Sequence, residues 1–136
     1  MCVWRAGGDS RVSGGGGYVQ TVMNAIKNEQ LMERFFDSQK VEERGVYYVK
    51  VHHTQTRMWK YVIVDDYVPV EVQGGKVVRP LFLDVEVDNN CVEIWPFLIE
   101  KAYAKYYSTY DSLGKGNVLD FLEEVTGNFY QTLHWN

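Results

Sequence analysis

Cysteine, histidine and proline are scarce in this chain of 136 residues, which holds two, three and three of them. Two thiols, Cys2 and Cys91, are too few for a disulfide framework and suit a reducing compartment. A cytoplasmic location is therefore expected. The histidines are His52, His53 and His134, and no zinc-ligand spacing links them to the cysteines. Runs of lysine and arginine are missing and the formal net charge is -4. That argues against nucleic-acid binding, which needs clustered cations against phosphate. No stretch approaches the roughly 18 apolar residues of a membrane span, and the start MCVWRAGGDS has no signal-peptide core. Position 2 is cysteine, so the glycine of a myristoylation start is missing too.

What is present is a heavy aromatic load of ten Tyr, six Phe and four Trp, within 46% hydrophobic and 24% charged residues. Each ring demands a large buried or interface surface, and the length suits one domain. Residues 1–17 hold six of the twelve glycines, four of them consecutive from Gly14 to Gly17. Backbone entropy predicts a flexible lead-in there. No Gly-Lys-Ser/Thr ends the run, so it is no nucleotide loop.

From Tyr18 a helical period begins with Val19, Val22, Met23 and Ile26. Asn28 caps a second stripe of Leu31, Met32, Phe35 and Phe36. After Gly45, residues 46–51 and 59–64 are β-rich and predict a hairpin through Thr54 to Arg57. Gly74-Gly75 turns a second, shorter ribbon flanked by Val70, Val72, Val77 and Val78. Trp95, Leu98, Ile99, Ala102, Tyr103 and Tyr106 then share one helical face, with Pro96 near the start. Asn117 caps a last short helix carrying Val118, Phe121, Leu122 and Val125, which Gly127 stops. Helix, strands, then helices predict an α+β fold.

Chemistry is hard to place on these residues. Cysteine-protease catalysis needs a thiolate, an imidazole and a group that holds the imidazole. Cys2 lies in the loose start, and Cys91 precedes the amphipathic helix, whose N-terminus would favour a thiolate; a structural cysteine is the simpler reading. Adjacent His52 and His53 point to opposite faces of a strand end, and a solvated turn is expected there. Asp65, Asp66, Asp84, Glu86, Asp88 and Glu93 sit where lysine and arginine are few. Such oxygens suit calcium, although Asp84, Glu86 and Asp88 alternating with valines also describe the wet face of a strand.

A family resemblance emerges around the long helix. Glu93-Ile94-Trp95 followed by Leu98 to Lys105 is similar to the calpain signature in which E-F-W leads into L-L-E-K-A-Y-A-K. Trp59 to Asp66 with Pro69 resembles the calpain W-V-x-V-V-V-D-D-x-x-P strand. Tyr110 to Gly114 and Leu122 to Gly127 resemble the family's Y-E-x-L-x-G-G and D-F-T-G. Asn28-Glu29-Gln30-Leu31 falls where calpains have N-E-x-L.

The resemblance implies the first half of a calpain or papain-like catalytic core: a helical half with a small antiparallel β element, spanning residues 18–136. Its nucleophile motif, G-D-C-W, falls on Gly14 to Gly17 when counted without gaps from Asn28. Gly16 then stands at the nucleophile position, and the oxyanion-supporting glutamine falls near Ser10. The resemblance also implies calcium. Glu93 matches one ligand of the first half-site, and Asp9 is the one carboxylate in the stretch corresponding to its partners.

Two expectations follow. One is a calpain-like homologue that is inactive as this chain and serves binding or regulation, its partner being another protein or the second protease half. The other is a segment of a larger, active calcium-dependent endopeptidase. The first predicts an exposed aromatic patch where a partner docks.

Overall fold

A computed structural model of the chain describes residues 12–14, 45–81, 83–85, 94–110 and 116–135. The helical stripes expected at 18–26 and 28–36 lie outside the described residues, as does most of the lead-in 1–17. Strands β1 (Val12–Gly14), β2 (Val46–His53), β3 (Met58–Asp65), β4 (Val70–Gln73), β5 (Lys76–Pro80) and β6 (Leu83–Val85) precede helices α1 (Trp95–Tyr106) and α2 (Val118–Thr126). The strands pair antiparallel as β1-β6, β2-β3 and β4-β5. The architecture is α+β.

The β2-β3 hairpin organises the core. Its β-branched and aromatic residues favour extended backbone, and its turn closes where the Arg57 N–H meets the His53 carbonyl at 2.7 Å. Tyr47, Val49 and Val51 lie opposite Val64, Val62 and Lys60 in the register, so one face carries the apolar side chains. That face is covered by α1. Ala102 is fully buried, and its lack of bulk lets the helix approach the sheet closely.

Burial on α1 is wider than the single stripe read from the sequence and also takes in Phe97, Glu100 and Ala104. Tyr103, only 1% exposed, meets Phe121 of α2 edge-to-face at 4.3 Å between ring centroids. A helix packed on two sides buries more than one stripe. The α2 boundaries follow the expected caps: the Asn117 side chain accepts from the Leu119 N–H at 3.0 Å, and Gly127 closes the helix at φ 70°.

The β4-β5 ribbon turns at Gly74 and Gly75, both at positive φ. One of its faces is polar, with Arg79 and Gln73 both donating to Glu71. The β1-β6 pair was not foreseen: Val12, Ser13 and Gly14 align with Val85, Asp84 and Leu83. Three-residue strands carry too little periodicity to be read from sequence.

Candidate functional site

The described side chains with most chemistry gather in two places around the hairpin and in one between the helices. The first is the seam between β3 and α1. Lys101 and Lys105 are one helical turn apart and reach the same strand end. The Lys101 ammonium donates to the Asp65 carboxylate and, at 2.7 Å, to the Tyr67 carbonyl. Lys105 donates to the Ile63 carbonyl at 2.8 Å. Asp65 also accepts the Tyr67 N–H at 3.0 Å. Lys101 first, then the Tyr67 N–H, hold the Asp65 carboxyl below the usual carboxylate range. A groove of about 360 Å³ lies along this seam, but both of its cations are already engaged with the chain.

Where α1 meets α2, the Tyr107 hydroxyl donates to Oε1 of buried Glu124. Glu124 Oε2 is also buried and has no hydrogen-bond partner among the described residues. Burial pushes this carboxyl up to about 7; the Tyr107 hydrogen bond opposes that shift, and Asp120 and Glu123 reinforce it. Sequence reading missed Glu124, because on a short amphipathic helix it looks like one more solvent-facing acid.

The second place is the opposite face of the hairpin. Lys50 aligns with Tyr61 and His52 with Trp59, setting them on the face away from Val49 and Val62. An open groove of about 500 Å³ runs there, lined by Lys50, Trp59, Tyr61, Thr126, Gly127 and Asn128. Trp59 and Tyr61 are 41% and 49% exposed. Lys50 Nζ stands 5.9 Å from the Tyr61 ring centroid, and the Arg57 guanidinium stands 4.5 Å from that of Phe129. Both are cation-π distances.

Comparison with known proteins adds the family. The profile described as calpain family cysteine protease matches residues 18–136. The chain belongs to the calpain family. It is 38% identical over 76 residues to Calpain-5 of Caenorhabditis elegans, covering 56% of this chain and 10% of that protein. With the calpain-type cysteine protease DEK1 of Zea mays it shares 39% identity over 69 residues, 51% of this chain and 3% of that protein. With the calpain-1 catalytic subunit of Gallus gallus the values are 32% over 103 residues, 74% and 13%. The chain thus spans a small part of the relatives it matches.

The calpain-like motifs are now physically legible. Residues of the Trp59–Asp66 strand and of Glu100-Lys101-Ala102-Tyr103-Ala104-Lys105 are two halves of one seam, with lysines as bolts and alanines as spacers. The D-F-T-G-like turn closes against Trp59: a Cβ on Gly127 would come within 2.6 Å of the indole.

Other sequence-based sites fare differently. Glu93, the expected calcium ligand, lies outside the described residues, as do Cys2, Asp9, Ser10, Gly16, Glu86, Asp88 and Cys91, and the side chain of Asp84. Among the described residues no three His, Cys, Asp or Glu side chains gather to hold a metal ion. Asp65, counted among carboxylates with few basic neighbours, is bonded to Lys101, which comes to it from 36 residues away. The solvated-turn reading of His52 is corrected. The side chain is 6% exposed, because the Trp59 indole covers it edge-on at 5.2 Å. His53 is half-buried, accepts the Thr56 N–H at Nδ1 and meets Tyr106 edge-on. His134 is exposed.

Proposed function

We propose that this chain is a non-catalytic calpain-type unit whose role is binding or regulation. The carrying observation is the glycine run: counted from Asn28, Gly16 stands where a calpain nucleophile is expected, and neither Cys2 nor Cys91 falls on that position. Glycine offers no thiolate, and without one the acyl-transfer chemistry of the family has no starting point. The residues 18–136 act in this reading as the first subdomain of a calpain core, joined functionally to a protein partner or to a second protease half. A reducing, cytoplasmic setting suits a chain with only two cysteines.

Calcium enters this reading through Glu93 alone, one carboxylate against the six to eight oxygens the ion takes. Calorimetric titration of the chain and of Glu93→Gln with calcium tests the assignment; equal isotherms for the two remove Glu93 from it.

The test of the main reading is a casein-cleavage assay of the purified chain with and without calcium. No cleavage is expected. Calcium-dependent cleavage that a thiol alkylator abolishes overturns the proposal. The relatives' names, calpain and calpain-type cysteine protease, and the small share of each that the chain covers favour a second reading, a segment of a larger cysteine protease, calcium-dependent as the resemblance implies. A full transcript encoding G-D-C-W in frame upstream of this sequence and a histidine-bearing half downstream would decide for it.

A further inference from the structure

The groove on the outer face of the hairpin has the makings of an interaction surface. Its floor is exposed aromatic surface, Trp59 and Tyr61, and its wall at Gly127 carries no side chain. Phe129, 65% exposed, comes directly after the lining residue Asn128 and lies under the guanidinium of Arg57 in the hairpin turn. Exposed rings of this kind are the anchors that protein interfaces favour.

Charge selects the occupant. Lys50 lines the groove, and Arg57 stands over Phe129, which follows the lining residue Asn128 in the chain. Neither has a carboxylate partner among the described residues, whereas Lys101 and Arg79 are paired with Asp65 and Glu71. Two cations left over aromatic rings, in a chain whose net charge is -4, form a local positive field against the overall sign. A cation on a ring face keeps its charge available to an anion while its stem is held.

We infer that this groove docks an acidic protein segment, with apolar side chains on Trp59 and Tyr61 and carboxylates at Lys50 and Arg57. The inference rests on the binding role proposed above and names the chemistry of its partner. Cations beside stacked rings also suit single-stranded nucleic acid. Two cations are few for a phosphate backbone, however, and the acidic chain repels a polyanion as a whole. A short segment with a few carboxylates meets the two cations without that repulsion.

The experiment is fluorescence anisotropy with three labelled octapeptides, alternating valine with glutamate, serine or lysine. A labelled oligouridine serves as the nucleic-acid probe. The intact chain should bind the glutamate peptide best, and more weakly as salt rises. Reversing Lys50→Glu and Arg57→Glu together should weaken that binding about tenfold or more. The double variant Lys60→Glu with Lys76→Glu makes the same change in net charge away from the groove and should bind as the parent does. Lys50→Arg should retain binding, and circular dichroism confirms that each variant is folded.

Equal binding of the three peptides, tighter binding of oligouridine, or equal losses in the two double variants overturns the inference. The casein assay reads the functional proposal separately. Cleavage together with preferential glutamate-peptide binding sinks that proposal and leaves the groove standing. No cleavage together with no peptide preference sinks the groove alone.

Discussion

Gly127 lies so close to Trp59 that a Cβ on it would come within 2.6 Å of the indole Cζ2. The end of α2 is therefore seated directly on the outer face of the hairpin, and two calpain-like motifs 68 positions apart are in contact. Gly127 also sits at φ 70°, where a side chain is strained whatever the space.

Both facts predict that Gly127→Ala destabilises the fold, by roughly 2–4 kcal/mol from left-handed strain and overpacking together. Trp59→Leu removes the obstructing ring but leaves the backbone strain. In the double variant the alanine should therefore cost less than it does alone. Denaturant midpoints of the four proteins measure this coupling. Strict additivity of the two losses would show that the close approach carries no energy.

Lys101→Met should cost about 1 kcal/mol or less, since Asp65 is half exposed and water screens the pair. The pH dependence is more telling. Asp65 titrates below its ordinary 3.8 in the folded state, so its contribution is complete above 3.8 and fades as pH falls through the lower folded value. The stability gap between parent and variant should thus be widest near neutral pH and close in strong acid. A gap of constant size would place the effect in lost packing of the lysine stem.

These bonds show where sequence reading reaches and where it stops. The hairpin, the Gly74-Gly75 turn, α1 and the α2 caps were legible because each is written in a local period or a cap residue. The E-K-A-Y-A-K stretch was legible as a motif, but its lysines looked like solvent charges. Their acceptors, the Ile63 and Tyr67 carbonyls, are 42 and 34 positions away, and backbone acceptors leave no residue signature. His52 was misread for the same reason: its cover, Trp59, comes from the neighbouring strand. The outward alternation of Trp59, Tyr61 and Ile63 was a usable signal for the groove, since apolar residues on both faces of a hairpin need a second cover.

Ala102 is fully buried in the core cluster that α1 shares with the hairpin. Ala102→Leu should lower stability by about 1–3 kcal/mol, because a packed seam has no room for three added carbons. The melting temperature measures it. Lys76→Leu at the exposed start of β5 is the control for a general effect of added apolar bulk, and should leave the melting temperature nearly unchanged. Equal shifts in the two variants would mean that Ala102 is not a spacer.

Glu124 makes the chain sensitive to pH in the opposite sense from Asp65. Its carboxyl is pushed up from an ordinary 4.5 to about 7, by burial foremost. From α1 and the turn after it, Tyr106 and Tyr107 face the carboxyl; on α2 itself the charged neighbours are Asp120 and Glu123. A raised folded value means that the folded chain holds its proton more tightly than the unfolded one. That stabilisation is fully present below 4.5, declines as pH rises from 4.5 to about 7, and is gone above. Glu124→Gln keeps an oxygen to accept from Tyr107 and cannot ionise. Its buried amide N–H₂ shifts absolute stability by an amount that does not change with pH, so the slope is the readout. Relative to this variant, the parent should lose on the order of 3 kcal/mol across that window. Urea unfolding at a series of pH values measures both curves, and parallel curves would show that Glu124 ionises in the folded chain as it does in water.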